Sequence, residues 1–333
     1  QTPAGKAMTI EIKTATLEPI RNTYEHTRRR FGDKPASRYQ EASYDIAPEK
    51  NFHYRPTWQP DKLLNDTSRT AVVMEDWYSF RDPRQYYYGT YVQARAKLQE
   101  VTESNYSFFE KRGLAAGMSD ELKDKIVRCL LPLRHAELGA NMNNVLCSAY
   151  GTATVVTQAF LYNGMDRLGI AQYLSRIGLL LDGNSSESLV AAKDHWMTDP
   201  AWQGMRRYTE NTLVLQDWYE VFIAQDVVLD TLVYDLMYRQ FDEAITAQGG
   251  RDLAMLIEFM QEWHNDNSRW VDATLKTTVA ESDHNRDLIA GWVSEWKEKA
   301  VADLAPLAEI AVGENAVDEA VSVLDKRLAK AGI

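Results

Sequence analysis

Six of the ten prolines in this 333-residue chain fall in its first 60 residues: Pro3, Pro19, Pro35, Pro48, Pro56 and Pro60. The other four, Pro83, Pro132, Pro200 and Pro306, lie far apart. A proline removes a backbone donor and clashes with the preceding helical turn, and it is excluded from central strands. The first segment is therefore expected to be extended, while the rest of the chain is open to long helices. Charge divides at the same place. Up to Thr70 there are 12 Lys and Arg against 9 Asp and Glu, a net of +3, so the whole-chain charge of −11 leaves −14 on residues 71–333. This predicts an N-terminal arm, residues 1–70, joined to one acidic helical domain, residues 71–333. The seven residues before Met8 carry no weight in this reading.

The arm holds Tyr24, Phe31, Tyr39, Tyr44, Phe52, Tyr54 and Trp58 between its prolines. An extended stretch with that many aromatics cannot build its own core, and aromatic and arginine side chains are the favoured anchors of contact surfaces. Two destinations are open, the body of the same chain or a neighbouring subunit.

The body reads as helix almost throughout. Good helix formers run from Tyr91 to about Arg112 after the Asp82-Pro83 break. Ser119, followed by Asp120 and Glu121, predicts a capped helix continuing to about Cys147, kinked at Pro132. A helix over 152–181 ends at Asp182-Gly183-Asn184, and a short one with a serine cap follows over 186–197. Asp199-Pro200 is a further break. From Trp218 to Met237 apolar residues are too dense for one stripe, which predicts a central helix buried on several sides. Gly249-Gly250 closes it. Separate helices are expected over 252–264, 267–302 and 314–330. No alternation of period two persists and no fixed repeat recurs, so the fold class is all-α.

Composition narrows the function. The acidic balance argues against nucleic acid, and apolar and aromatic content exclude disorder. No apolar run approaches the length of a membrane span, which predicts a soluble protein without a membrane partner. Two cysteines, Cys129 and Cys147, give no disulfide framework and point to the cytoplasm.

Large helical bundles include those with a carboxylate-bridged metal pair, built from two Glu-x-x-His motifs and a further Glu from each of two other helices. Among the six histidines only Glu281 with His284 has that spacing, in a polar stretch that reads as solvated. His135 follows Pro132, which cannot ligate, and reads as a core histidine bonded to a carboxylate. His264 has no acidic partner at the right step. Phosphate-loop, dinucleotide-glycine and Cys-x-x-Cys patterns are absent. The segment 82–88, Asp-Pro-Arg-Gln-Tyr-Tyr-Tyr, reads as a turn before an aromatic helix start. Asn141, Asn143 and Asn144 are unusual inside an apolar helix and predict buried interhelical or intersubunit hydrogen bonds.

Several long stretches carry a resemblance: Ile10 to Thr14, Glu18-Pro19-Ile20, Arg29 to Asp45, Asp82 to Gln85, Pro132 to Asn144 and Asp166 to Arg176. Together they resemble the β subunits of bacterial multicomponent phenol hydroxylases, with toluene and soluble methane monooxygenase β subunits in the wider family. The resemblance covers nearly the whole chain. It implies a ferritin-like, ribonucleotide-reductase-like helical bundle with extra helices and an extended arm. It also implies an oxygenase component of (αβγ)2 form, in which α carries a di-iron centre and hydroxylates phenol or related aromatics. This chain would then be a non-catalytic structural subunit with no metal, cofactor or catalytic residue of its own, His135 surviving where Pro132 replaces the motif's glutamate.

On the same resemblance the further partners are γ, an effector protein, and a reductase that uses NADH, FAD and an iron-sulfur cluster. The expected subunit contacts are Arg38, Tyr39, Tyr44, Trp58, Asp82, Arg84, Tyr87, Asn141 and Asn144. The competing readings are a ferritin-like di-iron protein active in its own right and a free-standing helical protein binding a small aromatic.

Overall fold

The computed structural model describes residues 25–46, 55–57 and 59–333. The expectations for residues 1–7, Tyr24, Phe52, Tyr54 and Trp58 lie outside them. Two short helices interrupt the arm, α1 (Glu25–Phe31) and α2 (Arg38–Ser43). The purely extended expectation is therefore corrected. The prolines leave room between them, and Ser37 with Gln40 forms a reciprocal capping box that starts α2 directly after Pro35.

The body begins with α3 (Tyr88–Lys111) and α4 (Asp120–Cys129), the latter capped by the Ser119 hydroxyl, which accepts from the Leu122 N–H at 3.2 Å. Pro132 does more than kink the next element. Residues 130–132 form a turn, and α5 (Leu133–Tyr150) starts as a new helix. After three residues α6 (Thr154–Leu181) returns along it, so the two form an antiparallel hairpin. Their axes approach closely at Gly164, where a Cβ would lie 3.3 Å from Val145 and 3.5 Å from the Asn141 carbonyl.

Next come α7 (Glu187–Thr198) and α8 (Pro200–Thr212). Ser186 sits in the left-handed region at φ 67° and makes no side-chain cap; Ser185 Oγ and Asp182 Oδ2 accept from the first N–H groups instead. Asp199 caps α8, with Pro200 in the first turn.

The central helix, α9, covers residues 218–247 and contains wide π turns at Ile223–Leu229 and Asp235–Gln240. From Trp218 to Leu232 only Glu220 escapes full burial, as its apolar density predicts. Then α10 (Arg251–Glu281), α11 (Asp283–Ala311) and α12 (Ala316–Ala331) complete the chain. The expected break near 265–267 is absent. Asn267 is buried and accepts from Arg84 Nη1 at 3.3 Å, so a polar residue that resembles a loop signal is a helix-interior contact. The break falls instead at Ser282, extended at φ −162°. Glu281 and His284 consequently belong to different helices. Both hold a strap that crosses the body: Glu281 Oε1 accepts from the Glu75 N–H at 2.7 Å, and His284 Nε2 lies 3.2 Å from the Ala71 carbonyl. Between them the buried Asn285 amide accepts from the Val73 N–H and donates to its carbonyl.

Among the described residues there is no strand and no helix long and apolar enough to cross a membrane. Helices α5, α6, α9 and α10 surround a shared interior, α11 covers α9, and α8 packs on α11 and α5.

Candidate functional site: a guanidinium inside the bundle

Charged residues are almost never fully buried unless paired, yet the interior of this bundle holds four. Arg167 of α6 is fully buried, as are Glu137 of α5 and Asp226 and Asp230 of α9. The Arg167 fork donates to Glu137 Oε2 at 3.1 Å through Nη1 and to Asp230 through Nη2, while Asp226 Oδ1 lies 3.5 Å away. Its Nε donates to Asn163 one turn back, and its plane lies over Trp263 of α10 at 4.6 Å. One cation from α6 thus holds carboxylates from two other helices.

A shell of amides and hydroxyls surrounds these four side chains. Asn144 and Asn163 both donate to Asp226 Oδ1, at 3.1 and 2.9 Å. Asn143 donates to Thr212 and Gln225, and Gln225 donates to Asp230. The Tyr234 hydroxyl donates to Glu137 Oε1 at 2.9 Å. The first π turn and the residues after it place Gln225, Asp226 and Asp230 in this interior, as such wide turns often do at functional positions. The amides expected from the Asn141–Asn144 run to be bonded between helices are so bonded, and Asn141 itself donates to the Gly164 carbonyl at 2.6 Å.

Three carboxylates around one guanidinium cannot all be ionised without cost. Burial, reinforced by Asp230, pushes the Asp226 carboxyl up to about 8, and burial also raises Glu137 against the opposing pull of Arg167. Arg167 stays protonated because Asp230 and Glu137 outweigh the burial that disfavours its charge. Asp226 Oδ2 has no partner among the described residues, which accords with a neutral acid at that position.

The histidines lie elsewhere. His135 faces outward against the Trp196 ring, with centroids 5.7 Å apart, and its Nε2 has no hydrogen-bond partner among the described residues. Burial, with Arg134 and Lys193 nearby, lowers it to about 4. The expectation of a carboxylate-bonded core histidine is therefore corrected, as is its placement at a surviving ligand position: on α5 it is Glu137 that points to the interior. His264 is partly buried, stacked on Tyr234, and kept neutral by desolvation beside Arg327 and Arg167. Among the described residues no group of three His, Cys, Asp or Glu side chains is placed to hold a metal ion.

Of the nine expected contact residues, five have their side chains inside this chain. The Tyr39 hydroxyl accepts from the Asp82 N–H at 2.8 Å, and the Tyr44 hydroxyl donates to the Phe80 carbonyl at 2.7 Å. Arg84 forks onto Asp82 at 3.0 Å on both oxygens, 4.6 Å over the Tyr86 ring, which makes 82–88 the tight turn its sequence suggests. Asn144 is in the interior cluster. Arg38 is exposed, Tyr87 and Asn141 are partly so, and Trp58 lies outside the described residues. Sequence reasoning missed Arg167, Asp226 and Asp230 as a unit. The available signal was the pair of acids four apart inside the most apolar run of the chain.

The fold and interior define an all-α bundle whose centre is closed by an ion cluster. A sequence model described as methane/phenol/alkene hydroxylase matches residues 58–282, and the chain belongs to that family. It is 55% identical to the phenol 2-monooxygenase oxygenase component DmpL of Pseudomonas sp. (strain CF600), over 98% of both chains. With the β subunit of the toluene-4-monooxygenase hydroxylase component of Ectopseudomonas mendocina it shares 22%, over 79% of this chain and 84% of that one. The structure of xenon-pressurized phenol hydroxylase from Pseudomonas sp. OX1 superposes with a TM-score of 0.92 at 49% identity, covering 97% of this chain and 98% of that chain. Toluene 4-monooxygenase, at 18% identity and a TM-score of 0.71 over 87% and 92% of the two chains, shares the fold.

Proposed function

We propose that this chain is the structural β subunit of a phenol hydroxylase, and that it carries no active site of its own. The observation that supports this most is Arg167. In a bundle whose relatives belong to an oxygenase component, a fully buried site lined by three acidic side chains is filled by a guanidinium that already satisfies Glu137 and Asp230. The donor set does not suit a metal, because the cation is covalently part of the chain and the histidines face away from the centre or are stacked on rings. No chemical step is assigned to these residues.

On this reading the di-iron centre belongs to a larger α subunit within an (αβγ)2 assembly. Electrons come from NADH through a reductase bearing FAD and an iron-sulfur cluster, and an effector protein acts on the whole. The helical domain, residues 71–333, braces α, and the arm, residues 1–70, docks through its accessible residues, Arg38 among them. The two buried, unpaired cysteines suit a cytoplasmic location. Phenol oxidation measured with γ, the reductase, NADH and the effector supplied throughout, and with this chain alone, the larger subunit alone or both, tests the proposal. Turnover only with both supports it, and oxygen-dependent turnover by this chain alone overturns it.

A further inference from the structure

Between α3, α6 and α10 the surface opens into a groove of about 360 Å³. That lies at the lower end of the roughly 300–1,000 Å³ spanned by small-molecule sites, and it suits a single ring. Three of its walls are aromatic, Tyr173 of α6 with Phe259 and Trp263 of α10, and Leu98 of α3 and Ile170 of α6 add aliphatic surface. These walls are fixed. Tyr173 and Phe259 pack edge to face with centroids 4.7 Å apart, Trp263 is 2% exposed, and the Arg167 guanidinium lies 4.6 Å from the centre of its ring. The mouth is clear at Gly169, where a Cβ would meet nothing within 4 Å.

Charge at the groove is balanced and already committed. Arg95 pairs with Asp166 at 2.9 Å, and Arg176 pairs with Glu103 at 2.7 Å. Trp263 Nε1 donates to Asp166 at 2.6 Å and the Tyr173 hydroxyl donates to Glu103 at 2.9 Å, so the polar atoms of two walls are turned to the ion pairs and their rings are left for contact. A charged guest would lose its hydration without finding a free counter-ion, which is costly. A hydroxyl fares better. Glu103 is 45% exposed, Arg176 and Tyr173 hold its carboxyl below the usual range, and a carboxylate that accepts two hydrogen bonds has lone pairs for a third.

We infer that this groove binds a neutral molecule with one aromatic ring, and that a ring hydroxyl is the polar group it accommodates best. Edge-to-face and offset contacts with the three aromatic walls hold the ring, and Glu103 at the rim accepts from the hydroxyl. Binding alone is assigned here, with no reaction, and it holds whether or not this chain is a structural subunit.

The probes are para-fluorophenol, followed by fluorine NMR on the full chain, and para-bromophenol, located by the anomalous scattering of bromine in crystals of the hydroxylase complex. Gly169→Leu puts a side chain into the open mouth; because leucine favours a helix over glycine, its melting temperature should not fall below that of wild type. Gly291→Leu, at an equally open glycine of α11 away from the groove, is the control. Wild type and Gly291→Leu should bind para-fluorophenol alike, and Gly169→Leu should bind it about ten-fold more weakly or worse. The ionised para-fluorobenzoate should bind wild type more weakly than para-fluorophenol by a similar factor, about ten-fold. Bromine should lie between Phe259 and Trp263 in wild type and be lost from there in Gly169→Leu. Equal binding of para-fluorophenol by wild type and Gly169→Leu overturns the inference, as does para-fluorobenzoate binding as tightly as the phenol. A groove filled in the complex by a side chain of another subunit, with no bromine in it, also overturns it. The structural-subunit reading survives each of these results.

Discussion

Replacing Asp226 by Asn should stabilise this protein at neutral pH, although it removes a buried polar acid. Asp226 has an ordinary value of 3.8 and a folded-state value of about 8. Between these limits it is ionised in the unfolded chain and protonated in the folded one, so folding takes up a proton. The sign follows: this group penalises stability least below about pH 4, increasingly as pH rises towards 8, and by a constant amount above that. At pH 7 about three units separate the medium from 3.8, and at 1.36 kcal/mol per unit the penalty is on the order of 4 kcal/mol.

Asparagine has nearly the same shape and cannot ionise. Its carbonyl can accept from Asn144 and Asn163 as Oδ1 does. Its NH2 group replaces Oδ2, which has no partner among the described residues, and an unpaired buried donor costs about 1–3 kcal/mol. The net gain expected at pH 7 is therefore about 1–3 kcal/mol. Urea unfolding followed by tryptophan fluorescence at pH 5.5, 6.5 and 7.5 reads both the gain and its slope. Groups titrating elsewhere act equally in the two proteins, so the difference between them should grow by up to about 1.4 kcal/mol per pH unit. A difference that does not change with pH, or a variant less stable than wild type at pH 7.5, would show that Asp226 is ionised in the folded state and refute the reasoning.

Two further substitutions probe the interior and the strap. Arg167→Met removes the cation that, among the described residues, contacts Glu137, Asp226 and Asp230 and should cost about 3–5 kcal/mol, with part of the loss recovered at pH 5 as Glu137, whose carboxyl burial already raises, takes up a proton; thermal unfolding at pH 5 and 7 checks this. Asn285→Ala cuts both backbone hydrogen bonds to Val73, at 3.0 and 2.8 Å, and should cost about 1–3 kcal/mol while speeding hydrogen exchange over 71–75 with little change in α9.

Local chemistry was legible in the sequence at several helix ends, though not at Ser186, which makes no side-chain cap, nor at the Ser37–Gln40 capping box that starts a helix in the arm. The Ser119 cap, the Asp199-Pro200 break and the Gly249-Gly250 stop depend on a few adjacent residues, and each falls where expected. The other errors occurred where distant partners decide. Asn265-Asp266-Asn267 resembles a loop until Arg84, nearly two hundred residues earlier, is seen to bond Asn267. His135 reads as carboxylate-bonded until Trp196 takes its face. The interior cluster was half visible: the asparagines of α5 announced buried hydrogen bonds, but their acceptors on other helices lie on α6, α8 and α9. Nothing in a one-dimensional spacing associates Arg167 with Asp230. The exposed apolar side chains of α5 and α6, among them Leu138, Met142, Leu161 and Met165, were hidden for the same reason, because periodicity marks an apolar row without saying whether it faces the core or the outside.

The central claim is that the guanidinium of Arg167, and not a metal pair, neutralises the carboxylates of this bundle. Metal analysis of the separated subunits, purified from an iron-replete culture and tested for phenol oxidation before separation, addresses it directly. Iron far below one atom per copy of this chain, with the complement on the larger subunit, is the predicted result; about two irons per copy of this chain, the stoichiometry of a carboxylate-bridged pair, would contradict it.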